Sequence, residues 1–343
     1  MMADRPKINR LITLFILILT LAGIGVIILQ MEQLVLAVQQ ADWKAIPGAL
    51  LVTTVSYGFM SLSFALVSRM FSVRMRLSDL AITGFITNSI NHVVTASGVA
   101  GYSLRTIMMG RHGVPFGDVM AVSLLHFYLT SLDMLIMLPV GLIYLQKNAQ
   151  VLPGVALVLA AATVLLALLA LLATLLIFLS NFRRMALNAM DKAANIITRR
   201  DFQSNLEYFD MSMNRGVGVI KRDPMKLILV MFMTAADWAA SVIVLMFCLD
   251  AFGPRPDFVV AMTGFVIGIM AGVISLVPGG LGVQEATMTG VLVLLGVPFG
   301  QAVLGSVLFR AIFFFLPYLL SLGFYRRLLR PDPASIGLPP GEV

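Results

Sequence analysis

An ionisable side chain inside a long apolar run is costly to bury and is kept where it is used. The residues from which to start are therefore Arg105, His126, Asp133, Asp237, Glu285 and Arg310. Glu285 falls just after Pro278-Gly279-Gly280-Leu281-Gly282, a run that cannot continue a helix, so it stands in the first turn of the next one. A carboxylate there either caps free amides at the helix start or takes a cationic head group, an arginine or a proton. Arg105 follows a second break, Thr95-Ala96-Ser97-Gly98-Val99-Ala100-Gly101, and offers a planar fork suited to a lipid phosphate. The alternative is an arginine snorkelling to the membrane interface. Asp133 and Arg310 each lie well inside an apolar run, which implies either an ion pair holding parts of the chain together or direct contact with a substrate. Asp237, beside Trp238, carries the same two readings. His126 precedes Asp133 by two helical turns, so both can face one cavity as a proton relay, or His126 can be a hydrogen-bonded core histidine. Asn88, Asn91 and His92 precede the first break and can satisfy its freed backbone groups. The expected substrate-binding set is Arg105, Glu285 and Asn88 with Ser97, Gly98, Gly101, Gly279, Gly280, Gly282 and Gln284. Asp133, His126, Asp237 and Arg310 form an expected intramembrane relay.

The elements that hold these residues are helices, and the expected fold is all-α. With 59% of positions hydrophobic and 12% charged, the chain has too little polar surface to cover a soluble globule. Six apolar runs are long enough to span hydrocarbon: 11–29, 46–67, 119–144, 151–179, 227–249 and 302–324. The first follows Arg5, Lys7 and Arg10 as a signal peptide would, but no small-x-small cleavage site follows, so a retained helix is expected. Two further runs, 80–94 and 258–277, are broken. Arginine and lysine fix the sides: Arg5 to Arg10, Arg69 to Arg76, Arg183 to Lys226 and Arg326 to Arg330 are groups placed in the cytoplasm by the positive-inside rule. Of 24 basic residues, Lys44, Lys147 and Arg255 alone then lie outside, and Arg310 lies within a span. Parity requires 80–112 and 258–295 each to enter and leave on one side, from opposite faces. Both termini come out cytoplasmic.

A duplication agrees with this. Gly113-Val114-Pro115-Phe116-Gly117 recurs as Gly296-Val297-Pro298-Phe299-Gly300, 183 residues later. The reading is one transmembrane domain, 1–343, of six full spans plus two opposed re-entrant helical hairpins in an inverted repeat. The first repeat is 46–144 with its hairpin at 80–112, and the second is 227–324 with its hairpin at 258–295. Between them, 181–224 reads as a cytoplasmic amphipathic linker, either lying on the inner leaflet or solvated. The net charge of +7 is strung along membrane edges, which favours anionic lipid head groups over nucleic acid. Cys248 is the sole cysteine, read as a small core residue; no thiolate metal site or cofactor motif is visible, and three histidines make no metal spacing. No nucleotide fingerprint or catalytic constellation is recognisable.

Val277-Pro278-Gly279-Gly280-Leu281-Gly282-Val283-Gln284-Glu285-Ala286, then Gly296-Val297-Pro298 and Arg310, resembles the C-terminal signature of the lysylphosphatidylglycerol synthase transmembrane region, the flippase-like family. Asn88 through Ser97-Gly98 and Gly101 to Arg105 resembles its N-terminal signature. The chain departs from the family pattern at Ala96 and at Gly101 or Tyr102, where a proline and an acidic residue are usual. It also departs at Leu129 and Thr130, where an acidic-basic pair is usual. Members with synthase activity carry a separate soluble aminoacyl-transferase domain, and with the chain ending at Val343 the expectation is a stand-alone membrane region. The resemblance implies a transporter-type protein of a prokaryotic cytoplasmic membrane. Its expected cargo is an anionic or aminoacylated phospholipid or a lipid-linked precursor, and its expected partner a lipid-synthesising enzyme or a second copy of the chain. The competing readings are a secondary transporter of a soluble solute, a membrane-embedded lipid-modifying transferase and a scaffold for a lipid-modifying enzyme.

Overall fold

The computed structural model describes residues 31–94, 99–149, 153–198 and 203–328, which form helices with no strand among them. In chain order these are α1 (Met31–Gln39), α2 (Ile46–Met70), α3 (Leu77–Val94), α4 (Val99–Gly110), α5 (Phe116–Asn148), α6 (Pro153–Phe178) and α7 (Ser180–Thr198). They continue as α8 (Gln203–Arg222), α9 (Pro224–Asp250), α10 (Phe258–Ile274), α11 (Val283–Leu294), α12 (Phe299–Phe309) and α13 (Leu316–Leu328). A π-helical turn, Arg310–Phe315, joins α12 to α13.

Among the described residues, four helices are long and apolar enough to cross a membrane: Trp43–Met70, Phe116–Asn148, Pro224–Asp250 and Phe299–Tyr325. A fifth results if Thr163–Phe178 and Ser180–Lys192, bent by 102°, make one span. The expected first span, 11–29, lies outside the described residues. The expected span 151–179 overlaps the 26-residue helix α6, which enters only as part of that bent pair.

The segments expected to form hairpins, 80–112 and 258–295, hold the helix pairs α3–α4 and α10–α11, called here the first and second hairpin, with arms of 18 and 12 residues and of 17 and 12 residues. At 1.5 Å per residue the shorter arms reach about 18 Å, well under a hydrocarbon core of about 30 Å. The repeated pentapeptide makes the same turn twice. Gly113 and Gly296 take φ of +74° and +91°, which a residue with a Cβ adopts only under strain. Each closes the preceding helix the same way: Val114 N–H donates to Met109 O at 3.1 Å, and Val297 N–H to Leu292 O at 3.0 Å. Pro115 and Pro298 then begin the next helix in extended backbone.

Packing between the halves is reciprocal. Helices α2 and α9 lie against each other; α3 packs on α13, and α10 packs on α5, so the first arm of each hairpin rests on the last helix of the other half. One apolar core gathers Phe64, Phe71, Val122 and Leu125 of the first half, and another gathers Leu245, Phe265, Leu292 and Phe309 of the second.

The linker departs from the expected leaflet-bound or solvated segment. Met213, Val217 and Ile220 of α8 are buried in the first core, so its apolar face is satisfied by protein. Arg183, buried at the bend between α6 and α7, donates to Leu176 O (3.2 Å) and Ile177 O (2.7 Å) and pairs with Asp210 at 2.7 Å. It thus holds α8 against the elbow while capping carbonyls that the bend leaves without partners.

Candidate functional site

The first hairpin buries a guanidinium. Arg105, on α4, is 2% exposed, which rules out the snorkelling alternative. Its Nε donates to Thr87 Oγ1 and its Nη2 to Asn88 Oδ1, both at 3.0 Å, and it lies 4.4 Å from the centroid of the Phe64 ring. The Tyr102 ring is 5.5 Å away. These partners are neutral; among the described residues no carboxylate pairs with Arg105. Asn88 Nδ2 is enclosed with no acceptor. An amide donor and a guanidinium that converge without a carboxylate form a cradle for an anion.

Local sequence explains the cradle. Asn91 Oδ1 accepts Gly101 N–H at 2.7 Å, tying the second arm to the first across the break. A Cβ at Gly101 would stand 2.4 Å from the Asn91 amide, so the arms approach this closely only with glycine there. Asn91 thus satisfies broken backbone as expected. Asn88 and His92 do not: Asn88 serves Arg105, and His92 stacks on Phe314 with centroids 4.8 Å apart. Ser97 and Gly98 lie outside the described residues.

The second hairpin uses its charges differently. Arg310, 4% exposed at the start of the π-helical turn, donates through Nε to Glu285, through Nη1 to Gly279 O at 2.8 Å and through Nη2 to Gln284 Oε1 at 3.0 Å. Glu285 also accepts Gly282 N–H at 2.8 Å, so the cap and the arginine partner, read as alternatives, coexist on its two oxygens. Gly279, Gly280 and Gly282 have φ of +61°, +62° and +79°. A Cβ on Gly279 would stand 2.6 Å from Val93 O, so this tip meets the end of α3 in direct backbone contact. Arg310 therefore fastens the tip of one hairpin where it touches the other.

The expected pairing of Asp133 with Arg310 is corrected: Arg310 is taken by Glu285, and Asp133 has no basic partner among the described residues. Asp133 and Asp237 are both buried and lie within electrostatic reach of each other across α5 and α9. Ser56 Oγ, on α2, donates to Asp237 Oδ1. His126 bonds Ser63 Oγ at 2.9 Å and packs edge-on against Phe64, on the Arg105 side. Ser56, Phe64, Thr87 and Arg183 are participants that sequence reasoning did not single out. For Ser56 and Thr87 the signal was a hydroxyl in an apolar run, which many structural residues share. No group of three or more histidine, cysteine or acidic side chains suited to a metal occurs among the described residues.

The comparisons with known proteins agree with a lipid-associated membrane region. A family profile described as "Lysylphosphatidylglycerol synthase TM region" matches residues 11–321. The chain is also similar to proteins named phosphatidylglycerol lysyltransferase from Staphylococcus aureus strains COL, N315 and MRSA252. Each is 28% identical over 89 residues, which cover 26% of this chain and 11% of the relative's length.

Proposed function

We propose that this chain, which belongs to the lysylphosphatidylglycerol synthase transmembrane-region family, translocates a phospholipid with an anionic head group between membrane leaflets. The observation that carries the reading is the Arg105 cradle: a buried guanidinium with neutral partners and an adjacent amide donor lacking an acceptor. A lipid phosphate supplies the missing acceptor oxygens while its acyl tails remain in the bilayer. The proposed architecture is the inverted repeat of six spans and two opposed re-entrant hairpins, whose tips meet at membrane depth. The identical pentapeptide turns and the reciprocal packing of the halves support it. The proposed location is a prokaryotic cytoplasmic membrane with both termini inside. Loss of contact between Gly279 and Val93 would open a path from one face to the other.

Purified protein reconstituted in liposomes is expected to move labelled phosphatidylglycerol across the bilayer and leave its mass unchanged. Failure to move any labelled phospholipid would refute the reading. The relatives' name favours one rival, a lipid-modifying transferase, and a lipid recovered with altered mass would establish that instead.

A further inference from the structure

We infer that Asp133 and Asp237 form an exchangeable proton site that couples lipid movement to the transmembrane proton gradient, an inference that rests on the translocation reading above. The two residues are 8% and 7% exposed. Asp237 has Ser56 as a donor to Oδ1, and Ser241 Oγ donates to its backbone carbonyl at 2.8 Å. Asp133 Oδ2, by contrast, is fully enclosed and has no donor. That oxygen is a buried acceptor whose missing partner must be supplied, and the smallest supply is a proton on the carboxyl itself. Asp237, within electrostatic reach of Asp133 across the packed helices α5 and α9, argues the same way, because two like charges in a low-dielectric interior do not both stay ionised.

Among the described residues no cation pairs with either acid: Arg105, on α4 packed against α5, is bonded to Thr87 and Asn88. Helices α10 and α12 carry no ionisable residue, and α6 carries none. On α2 the titratable group facing Asp237 is Tyr57, which donates its hydroxyl to Phe313 O at 2.8 Å. On α5, His126 is bonded to Ser63 and faces Arg105 instead. On α8, Arg215 pairs with Asp118 at 3.0 Å, at the start of α5 and four turns from Asp133. Thr234, on α9, is a side-chain hydrogen-bond partner of the Asp133 carboxyl, and Oδ2 is the oxygen left without one.

The proton's effect has a short route to the hairpin contact. Ser56, which holds Asp237, is followed by Tyr57, which holds the carbonyl of Phe313 in the π-helical turn. That turn begins with Arg310, the residue fastening the second tip to Gly279. A π-helical turn has a carbonyl displaced from the regular ladder, and such turns are frequent where helices change shape. When the pair takes up a proton, one O–H bond forms and one negative charge is removed. Its release restores the charge and the repulsion between the acids, which bears on α2 and through Tyr57 on the tip.

Two readouts test this. Infrared difference spectra of purified protein, in detergent and without lipid transport, should show a protonated-carboxyl stretch that titrates with pH and is lost in Asp133→Asn and in Asp237→Asn. In vesicles of phosphatidylglycerol and phosphatidylcholine, an imposed pH gradient should speed wild-type movement of labelled phosphatidylglycerol about tenfold. Asp133→Asn and Asp237→Asn should lose that response, and Asp133→Glu should keep it. Three results would overturn the inference: no titrating carboxyl band in wild type, no response to the gradient in a protein that moves lipid, or a response to sodium in place of protons. A wild-type protein that moves no lipid would remove the translocation reading alone, and the infrared band would then decide whether the proton site stands. Where an Asn variant does not fold, the wild-type band and gradient response decide the matter.

Discussion

The two hairpins share a turn and arm lengths but not their chemistry. By the register of the repeated pentapeptide, Glu285 corresponds to Tyr102 and Arg310 to Phe127. In the second half these positions carry a buried ion pair; in the first they carry two aromatic rings 6.4 Å apart, edge to face. Arg105 has Met288 as its counterpart. One copy therefore holds a guanidinium whose charge is met within the protein, and the other holds a guanidinium whose charge is not. A duplicated scaffold keeps its packing with either arrangement, because an aromatic pair and an ion pair both bridge a hairpin arm to the following long helix. Only the unmet charge can recruit a ligand. On the proposed function, the first hairpin is the binding half and the second the fastening half.

The largest effect that could break this division is on stability. Glu285→Gln leaves Arg310 buried with its charge uncompensated, and should destabilise the protein by roughly 3–5 kcal/mol, read as thermal unfolding in detergent. The double variant Glu285→Gln with Arg310→Met should recover most of that loss. If Glu285→Gln unfolds as wild type does, the second hairpin is not the fastener. Tyr102→Glu converts the first half toward the second by placing a carboxylate beside Arg105. It should raise the unfolding temperature or leave it unchanged while cutting movement of anionic lipid by about tenfold, roughly 1.4 kcal/mol. Retained transport would mean that the lipid phosphate does not use Arg105. Topology sharpens the comparison without perturbing either site. In a variant lacking Cys248, Gly110→Cys and Val293→Cys stand at corresponding positions and should label from the cytoplasmic and external faces respectively. Labelling of both from one face would contradict opposed hairpins.

The smallest effect concerns the elbow, which lies outside both hairpins and serves as a control. Burial pushes the Asp210 carboxyl up, but hydrogen bonds and charge from Arg184 and Arg183 outweigh this and hold it below the usual carboxylate range. A group depressed on folding stabilises the fold above its unfolded value, near about 4, and that stabilisation is lost as pH falls through the lower folded value. Amide exchange in α7 and α8 should therefore quicken below about pH 4, with the hairpin arms unaffected. Equal loosening of all elements would show that the elbow is not an independent unit.

Much of the architecture was legible because hydrophobic length and the glycine-proline breaks are local signals. Runs 46–67, 119–144 and 227–249 returned as the helices Ile46–Met70, Phe116–Asn148 and Pro224–Asp250, extended at one end or both, since helix termini carry polar residues that hydropathy trims. The last run returned with a π-helical turn that no composition announces. Arg105 and Glu285 were found because a charge in an apolar run is conspicuous. Their partners were not found, because pairing is a matter of register between helices far apart in sequence. Depth along a helix made Asp133 and Arg310 look like mates, while the direction each side chain takes around its helix gave Arg310 to Glu285 and left Asp133 to Asp237. The linker's amphipathic character was legible, but what its apolar face meets was not: an amphipathic helix presents that face to whatever is adjacent, and for α8 that is the first core.

The central claim is that Arg105 serves the ligand and not the fold. The direct measurement is movement of labelled phosphatidylglycerol, per folded molecule, by wild type and Arg105→Gln in liposomes, beside their thermal unfolding in detergent. The account predicts a loss of about tenfold or more in transport with little change in unfolding temperature, because no carboxylate is left unpaired when the guanidinium goes. Undiminished transport by Arg105→Gln, or a loss matched by loss of folded protein, would contradict it.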